Sequence, residues 1–388
     1  MTRATIGLLA AGASLLLATG CQRASSTGRA PVSTTPSQRP ATTASHPGSG
    51  AATRATPRST TTSTSAPTTP STTEPPGQFS MAFAGDVHFM ERTATLLARD
   101  PATAFGTSAP VLSRADLTMV NLETAIAVGG RPEAKSFTFQ APPSAFTALR
   151  AAGVDLVTMA NNHGADYGSA GLAQTEAAIR GSGFPVVGIG ASAAQAYAPY
   201  YRTVNGVRIA VVAASQVQDE TLAHFSAGPD SPGIANAYSD AFLAEVRAAR
   251  AHAEVVIAYV HWGTEYQSCP NADQQQLAGT LAAAGVTAII GTHAHVLQGA
   301  GWRPDGAYVA YGLGNYYWWR SFGNDQDDNG VLTLTFARNR VAAATFLPSR
   351  LDAQGISPPA TGASAQRIDA EWEQRRQQCT NLLPAPPH

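Results

Sequence analysis

At 388 residues, with hydrophobic types at 44%, the chain exceeds one average domain and can bury a sizeable core, which excludes a small cross-linked mini-protein. Charged residues make up only 13% and the formal net charge is -1, so no broad basic surface exists to neutralise phosphates, and nucleic acid is not an expected partner. Three cysteines, Cys21, Cys269 and Cys379, are too few for a disulfide scaffold and match no zinc-finger spacing. Lys135 is the sole lysine in an arginine-rich, alanine-rich chain, a bias that reads as genome composition.

In chain order, Arg3 is followed by an apolar run over 6–18, as long as an export-signal core and too short to span a bilayer. The run ends in Leu17-Ala18-Thr19-Gly20-Cys21, which resembles a bacterial lipoprotein cleavage signal. That resemblance implies removal of 1–20, lipidation of Cys21 and stable attachment to the cell membrane from outside, since two or more acyl chains anchor durably. The alternative is an ordinary secretory signal in which Cys21 is incidental. Residues 22–76 are almost wholly Ser, Thr, Pro, Ala and Gly with scattered Arg, and Val32 is their only large aliphatic residue. Such a segment cannot form a core and reads as a disordered tether about 40 Å in root-mean-square span.

From Gly77 the pattern predicts strands over 79–84, 117–121, 154–160, 208–214, 254–260, 286–291, 307–312, 331–337 and 341–347. Helices are predicted over 91–99, 144–152, 169–182, 238–252 and 273–284. Asn205-Gly206 and Pro304-Asp305-Gly306 are hairpin turns. Strands separated by helices, then hairpins, indicate a layered α/β domain over 77–350 with partly antiparallel sheets. Residues 351–388 read as a loose C-terminal arm with one short helix near 364–378.

The chemistry sits where strands end. The first strand leads into Gly85-Asp86-Val87-His88, the second into Asn121-Leu122-Glu123 and the third into Asn161-Asn162-His163-Gly164-Ala165-Asp166-Tyr167-Gly168. Later strands end in His261-Trp262-Gly263-Thr264-Glu265 and Thr292-His293-Ala294-His295. Open α/β sheets assemble sites at this edge. A single histidine near a strand end is ordinarily a hydrogen-bonded structural residue, but five α/β units offering Asp, His, Glu or Asn at one edge point to a metal centre.

The order D-x-H, acidic residue, Asn-His, His and His-x-His resembles the ligand order of calcineurin-like metallophosphoesterases. More closely, these motifs together with Tyr311-Gly312-Leu313-Gly314-Asn315 resemble the CapA family of bacterial capsule, or poly-γ-glutamate, synthesis proteins over residues 79 to 347. The resemblance implies a metallophosphoesterase-like four-layer αββα sandwich with mixed sheets. It also implies two divalent metal ions: Asp86, His88 and His295 on one, Asn162, His261 and His293 on the other. Glu123 would lie between them where the phosphoesterases use Asp, a longer side chain at the bridging position. His163 matches a proton donor to the leaving group, and Glu265 is a rival acid-base group. Mn²⁺, Fe and Zn²⁺ all suit such N/O ligands.

The implied function is synthesis, release or attachment of a surface polymer such as poly-γ-glutamate by metal-dependent hydrolysis or transfer. The expected partners are the anionic polymer or its precursor and a membrane synthase complex. A non-catalytic accessory subunit and a general cell-wall phosphodiesterase are the alternatives. Four further features stay open. Asp325, Asp327 and Asp328 form either a solvated turn or a calcium or rim site, and Tyr316, Tyr317, Trp318 and Trp319 either line a substrate groove or fill a core. Arg131 and Lys135 either meet an anionic polymer or serve solubility, and Cys269 and Cys379 either pair, pinning the arm, or stay apart.

Overall fold

The computed structural model describes residues 76–387. The export signal, Cys21 and all of the tether before Pro76 lie outside them. Alternating and continuous apolar runs form β1 (Gln78–Val87), β2 (Leu117–Leu122), β3 (Leu156–Thr158) and β4 (Val186–Val187), parallel neighbours in that order. Helices α1 (Glu91–Arg99), α2 (Ser144–Ala151) and α3 (Gly168–Ser182) connect them.

A second sheet begins with the hairpin β5 (Tyr200–Val204) and β6 (Val207–Ser215). Asn205 and Gly206 both take positive φ, 46° and 85°, as the tight turn matching strand twist demands. Helix α4 (Asp240–His252) leads to β7 (Val255–His261), and α5 (Ala272–Ala283) leads to β8 (Ala288–Thr292), both parallel additions. Strands β9 (Ala300–Trp302) and β10 (Tyr308–Ala310) close that sheet around the Pro304-Asp305-Gly306 turn. The chain then returns to the first sheet. Strand β11 (Asn315–Tyr317) lies parallel to the end of β1, and β12 (Asp328–Ala337) and β13 (Arg340–Arg350) add an antiparallel edge hairpin.

The sheets therefore run β13-β12-β1-β2-β3-β4, with β11 on β1, and β9-β10-β8-β7-β6-β5. Strand β6 shows the layering directly. Ile209, Val211 and Ala213 join the core that holds Phe83, Met119 and Val157 of the first sheet, while Ala210, Val212 and Ala214 pack with Phe242, Val246, Leu277 and Leu281 of α4 and α5. On the far side, Phe146 and Leu149 of α2 and Leu172 of α3 cover the first sheet. The result is the mixed α/β fold, helix on sheet on sheet on helix, that the alternation of strands and helices implies. Each large apolar side chain buried this way contributes about 1.5–3 kcal/mol.

The C-terminal arm departs from expectation. Its helix α6 runs Gly362–Cys379, 18 residues, and is docked rather than loose. Trp372 Nε1 donates to Gln298 O (2.6 Å), Arg375 to Leu297 O (2.6 Å), and Cys379 forms a disulfide with Cys269 across a Cα–Cα distance of 5.1 Å. Nor do Asp327 and Asp328 belong to a solvated turn: both are buried, and Arg350 and Arg367 neutralise them. Asp327 also accepts the Phe322 and Gly323 amides at 2.7 and 2.8 Å. Among the described residues, no helix is long and apolar enough to cross a membrane.

Candidate metal centre

Five strand ends converge at the carboxyl edges of the two sheets. The register of β1 on β2 slips between Phe83 and Asp86, which turns Asp86 into the interior. The turn needs Gly85, because a Cβ there would stand 1.8 Å from Gly314 O, the carbonyl that accepts the Asp86 amide at 2.9 Å. After β8, His293 and His295 hold φ of 90° and 55°, left-handed conformations that cost non-glycine residues of order 1–3 kcal/mol each and cluster at functional sites. Those turns aim two imidazoles back toward Glu123.

Glu123 is fully buried, and its Oε1 has no hydrogen-bond partner. Three imidazole nitrogens surround that oxygen: His261 Nε2 at 3.7 Å, His163 Nε2 at 3.9 Å and His295 Nε2 at 3.9 Å. These separations exceed hydrogen-bond range. Two ligand atoms each about 2.1 Å from one cation stand about 3.4 Å apart in a tetrahedral arrangement, so the spacing is close to that of ligands sharing an ion. His293 Nδ1 is likewise buried without a partner. Glu123, His293 and His295 offer ligand atoms within 4.8 Å of one another, as do Asp86, Glu123 and His261. Asn162 Oδ1 joins them, 2.9 Å from His261 Nε2.

The surrounding groups fix how these ligands point. Asn315 Nδ2 donates to Gln326 O (3.2 Å) and His295 O (3.4 Å), leaving Oδ1 to accept from His295 Nδ1 at 2.9 Å. That hydrogen bond turns the Nε2 lone pair of His295 toward Glu123. Asn121 Nδ2 donates to Asp86 Oδ1 (2.8 Å), and Asn161 Nδ2 donates to Asn121 Oδ1 (2.9 Å). His163 Nδ1 meets Asp166 Oδ2 at 2.6 Å, and its ring lies 4.1 Å from the Phe139 ring.

The electrostatics suit cation binding. Burial, with neighbouring rings adding to it, holds His261 and His293 well below the ordinary imidazole value, so both rings are neutral at neutral pH, the form that can coordinate a cation. Burial and then Asp86 push Glu123 well above the usual carboxyl range, the signature of carboxylates crowded where a cation would relieve them. Burial would lower His295 too, but the bond to Asp86 and the charge beside it outweigh that and raise it. His163 is lowered by burial against the pull of Asp166.

Of the residues singled out in the sequence, the structure gathers Asp86, Glu123, Asn162, His163, His261, His293 and His295 in this pocket. His88 stands outside both ligand groups: its Nε2 accepts the Trp319 amide at 3.1 Å, and its ring packs 4.0 Å from Trp318 and 4.2 Å from Phe139. Glu265 lies on the outer wall of a cleft that opens onto His163 and His295, with Phe137, Tyr266, Trp318 and Arg320 nearby. The aromatic run divides accordingly, since Tyr316 and Tyr317 are core and Trp318 and Trp319 line the cleft.

A family model described as "Bacterial capsule synthesis protein PGA_cap" matches residues 80–318, more than half of the chain and every strand end described above. The chain belongs to that bacterial capsule synthesis protein family. Among its relatives, the "PGA biosynthesis protein CapA" of Bacillus subtilis (strain 168) is 29% identical over 247 residues, 61% of this chain and 62% of the relative. The "Capsule biosynthesis protein CapA" of Bacillus anthracis is 28% identical over 233 residues, 59% of this chain and 55% of the relative. The match thus spans less than two thirds of either relative. A solved phosphatase from Mycoplasma pneumoniae aligns with 76% of this chain and 96% of its own at 15% identity and a TM-score of 0.44, too loose a likeness to build on.

Three residues that hold the pocket's side chains carried no individual role in the sequence reading: Asn121, Asp166 and Asn315. All three stand inside motifs that were read, so their signal was position beside a ligand. Lys135, open in the sequence between a polymer contact and solubility, has a side chain only 9% exposed and salt-bridged to Asp166 at 2.9 Å.

Proposed function

We propose that this chain acts at the cell surface in building, releasing or attaching an anionic polymer such as poly-γ-glutamate, by metal-dependent hydrolysis or transfer at the centre around Glu123. The observation that carries the reading is Glu123 Oε1, buried, unpartnered and ringed by three imidazole nitrogens. Asp86, Glu123, Asn162, His261, His293 and His295 would hold one or two divalent ions, Mn²⁺, Fe or Zn²⁺. Ions bound there would supply a Lewis acid and a water of lowered pKa.

The chain's own groups do the rest. Asp166 accepts from His163 Nδ1, which leaves the Nε2 lone pair of His163 facing the ligand cluster; once Nε2 takes up a proton, the imidazolium beside Asp166 can hand it to a leaving group. Glu265, at the cleft wall, is the second acid-base candidate. Arg320, stacked 4.3 Å over Trp319 and 4.6 Å over Phe322, offers a guanidinium at the lip for a carboxylate or phosphate of the polymer or its precursor. Attachment through lipidated Cys21 and association with a membrane synthase belong to the same reading, with the domain held outside the cell membrane.

The experiment uses the fragment from Gly77. Metal content is measured, and phosphodiester and γ-glutamyl substrates are assayed with and without Mn²⁺, Fe²⁺ and Zn²⁺. Stoichiometric metal with turnover, both lost in a folded His293→Ala/His295→Ala variant, is the expected result. Polymer binding without turnover would replace the enzyme with an accessory subunit, and unchanged turnover in the variant would remove the metal mechanism.

A further inference from the structure

The only lysine of the chain lies part-buried beside the candidate centre, its side chain 9% exposed, in a protein that otherwise places arginine wherever it needs a cation. The ammonium of Lys135 has three N–H donors, and three acceptors surround it. Nζ donates to Asn162 O, to Asp166 Oδ1 at 2.9 Å and to Thr221 Oγ1 at 3.1 Å, with a second carboxylate, Asp219 Oδ2, at 3.4 Å. A compact ammonium can aim three donors at acceptors grouped around one point, whereas a planar guanidinium spreads its five donors along a fork. The acceptors come from segments 27, 31 and 86 residues away in sequence.

We propose that Lys135 is a positioning residue: its ammonium clamps the loop 161–168 so that the Asn162 amide and the His163 imidazole both face the metal pocket. Two routes run from Nζ into the site. Through the Asn162 carbonyl, which Thr221 Oγ1 also engages at 2.6 Å, Lys135 holds the backbone whose side chain puts Oδ1 against His261 Nε2. Through Asp166 Oδ1, it orients the carboxylate whose Oδ2 accepts from His163 Nδ1 and from the Phe139 amide at 2.7 Å. Phe139 in turn packs on the His163 ring. Supporting groups of this kind typically change metal affinity about 10–100-fold when removed.

The inference rests on the metal reading only for its affinity measurement, so a second readout is independent of metal. Lys135→Met, Lys135→Arg and Thr221→Val are made in the Gly77 fragment, and Zn²⁺ and Mn²⁺ affinities are measured by calorimetry. The imidazole of His163 is followed by nitrogen NMR on histidine-labelled protein without metal. Lys135→Met and Lys135→Arg are expected to weaken metal binding about 10–100-fold and Thr221→Val in the same direction, with loss of the protected Nδ1–H signal of His163 in both lysine variants. Wild-type affinity and an unchanged His163 signal in Lys135→Arg would show that charge alone suffices and would overturn the clamp. If Lys135→Met fails to fold, Lys135→Arg and Thr221→Val decide. If the unaltered fragment binds no metal, the metal reading falls, and the His163 signal still decides the clamp.

Discussion

Glu123 Oε1 and His261 Nε2 face each other 3.7 Å apart, both fully buried, too far for a hydrogen bond and too close to be indifferent. A buried oxygen left unpaired costs about 1–3 kcal/mol, and that cost falls on Glu123 Oε1 alone, since His261 Nε2 has Asn162 Oδ1 at 2.9 Å. Glu123→Gln removes the acidic group while keeping the shape. The expected outcome is a metal-free protein at least as stable as the original by thermal denaturation, with metal affinity at least about 10-fold weaker by calorimetry. A variant that binds metal as tightly as the original would mean that the carboxylate is no ligand.

The shifted groups set a pH dependence. Burial holds His88, His261 and His293 well below the ordinary imidazole value of about 6.5, so the folded state resists protons that the unfolded chain takes up. Their contribution is full above that value and is lost as pH falls from it toward the folded values. Glu123 is raised and acts oppositely: its contribution is lost as pH rises from the unfolded carboxyl value toward the folded one. His163 is lowered like those three rings, whereas His295, raised by Asp86, acts with Glu123, so four lowered imidazoles against one raised imidazole and one raised carboxyl set the net direction between pH 7 and 5. Melting temperatures of the metal-free fragment should therefore fall across that interval. The gain on adding Zn²⁺ should shrink in the same direction, because protons compete for the ligands. A flat profile with no metal-dependent gain would count against both statements.

What the sequence made legible follows from distance along the chain. Asp86, Glu123, Asn162 and the His293-His295 pair each follow an apolar run that ends in a strand, so local pattern placed them at one edge, and the structure brings them together. The burial of Lys135, Asp327 and Asp328 is not legible locally for one physical reason: the charges that neutralise them arrive from 22 to 39 residues away. A charge in a polar stretch looks solvated until its partner is known. The strand Tyr200–Val204 went unlisted although its turn was recognised, because its alternation is half-exposed on the sheet edge. Helix α6 looked loose because its anchors, Gln298, Leu297 and Cys269, belong to another part of the chain.

Arg320 gives a charge test of the cleft. Its guanidinium is exposed and held over two aromatic rings, so little side-chain freedom remains to be lost when an anion binds. Replacement by Ala is expected to raise the Kd for a poly-γ-glutamate oligomer about 5-fold, equivalent to about 1 kcal/mol for an exposed charge pair. The Trp318 and Trp319 fluorescence provides the signal, and added salt should erase most of the difference. Equal affinities at low salt would remove Arg320 from recognition.

The Cys269–Cys379 bond ties helix α6 to the segment that follows Glu265, closing a span of 110 residues. Constraining so long a loop in the unfolded chain stabilises the fold by about 2–4 kcal/mol. The same helix holds the residues after His295, since Trp372 and Arg375 donate to the Gln298 and Leu297 carbonyls. Gln298 in turn donates through Nε2 to the Gln267 and Cys269 carbonyls at 2.7 and 3.3 Å. Loosening the arm should therefore reach the metal pocket through His295. In Cys269→Ser/Cys379→Ser, chemical denaturation should report the lost 2–4 kcal/mol, and amide exchange should rise over α6 and residues 295–299 while β1 to β3 stay protected. Metal affinity should weaken as well, by less than for direct ligand substitutions. Lost stability with unchanged exchange at 295–299 would confine the bond to stapling the arm and detach it from the centre.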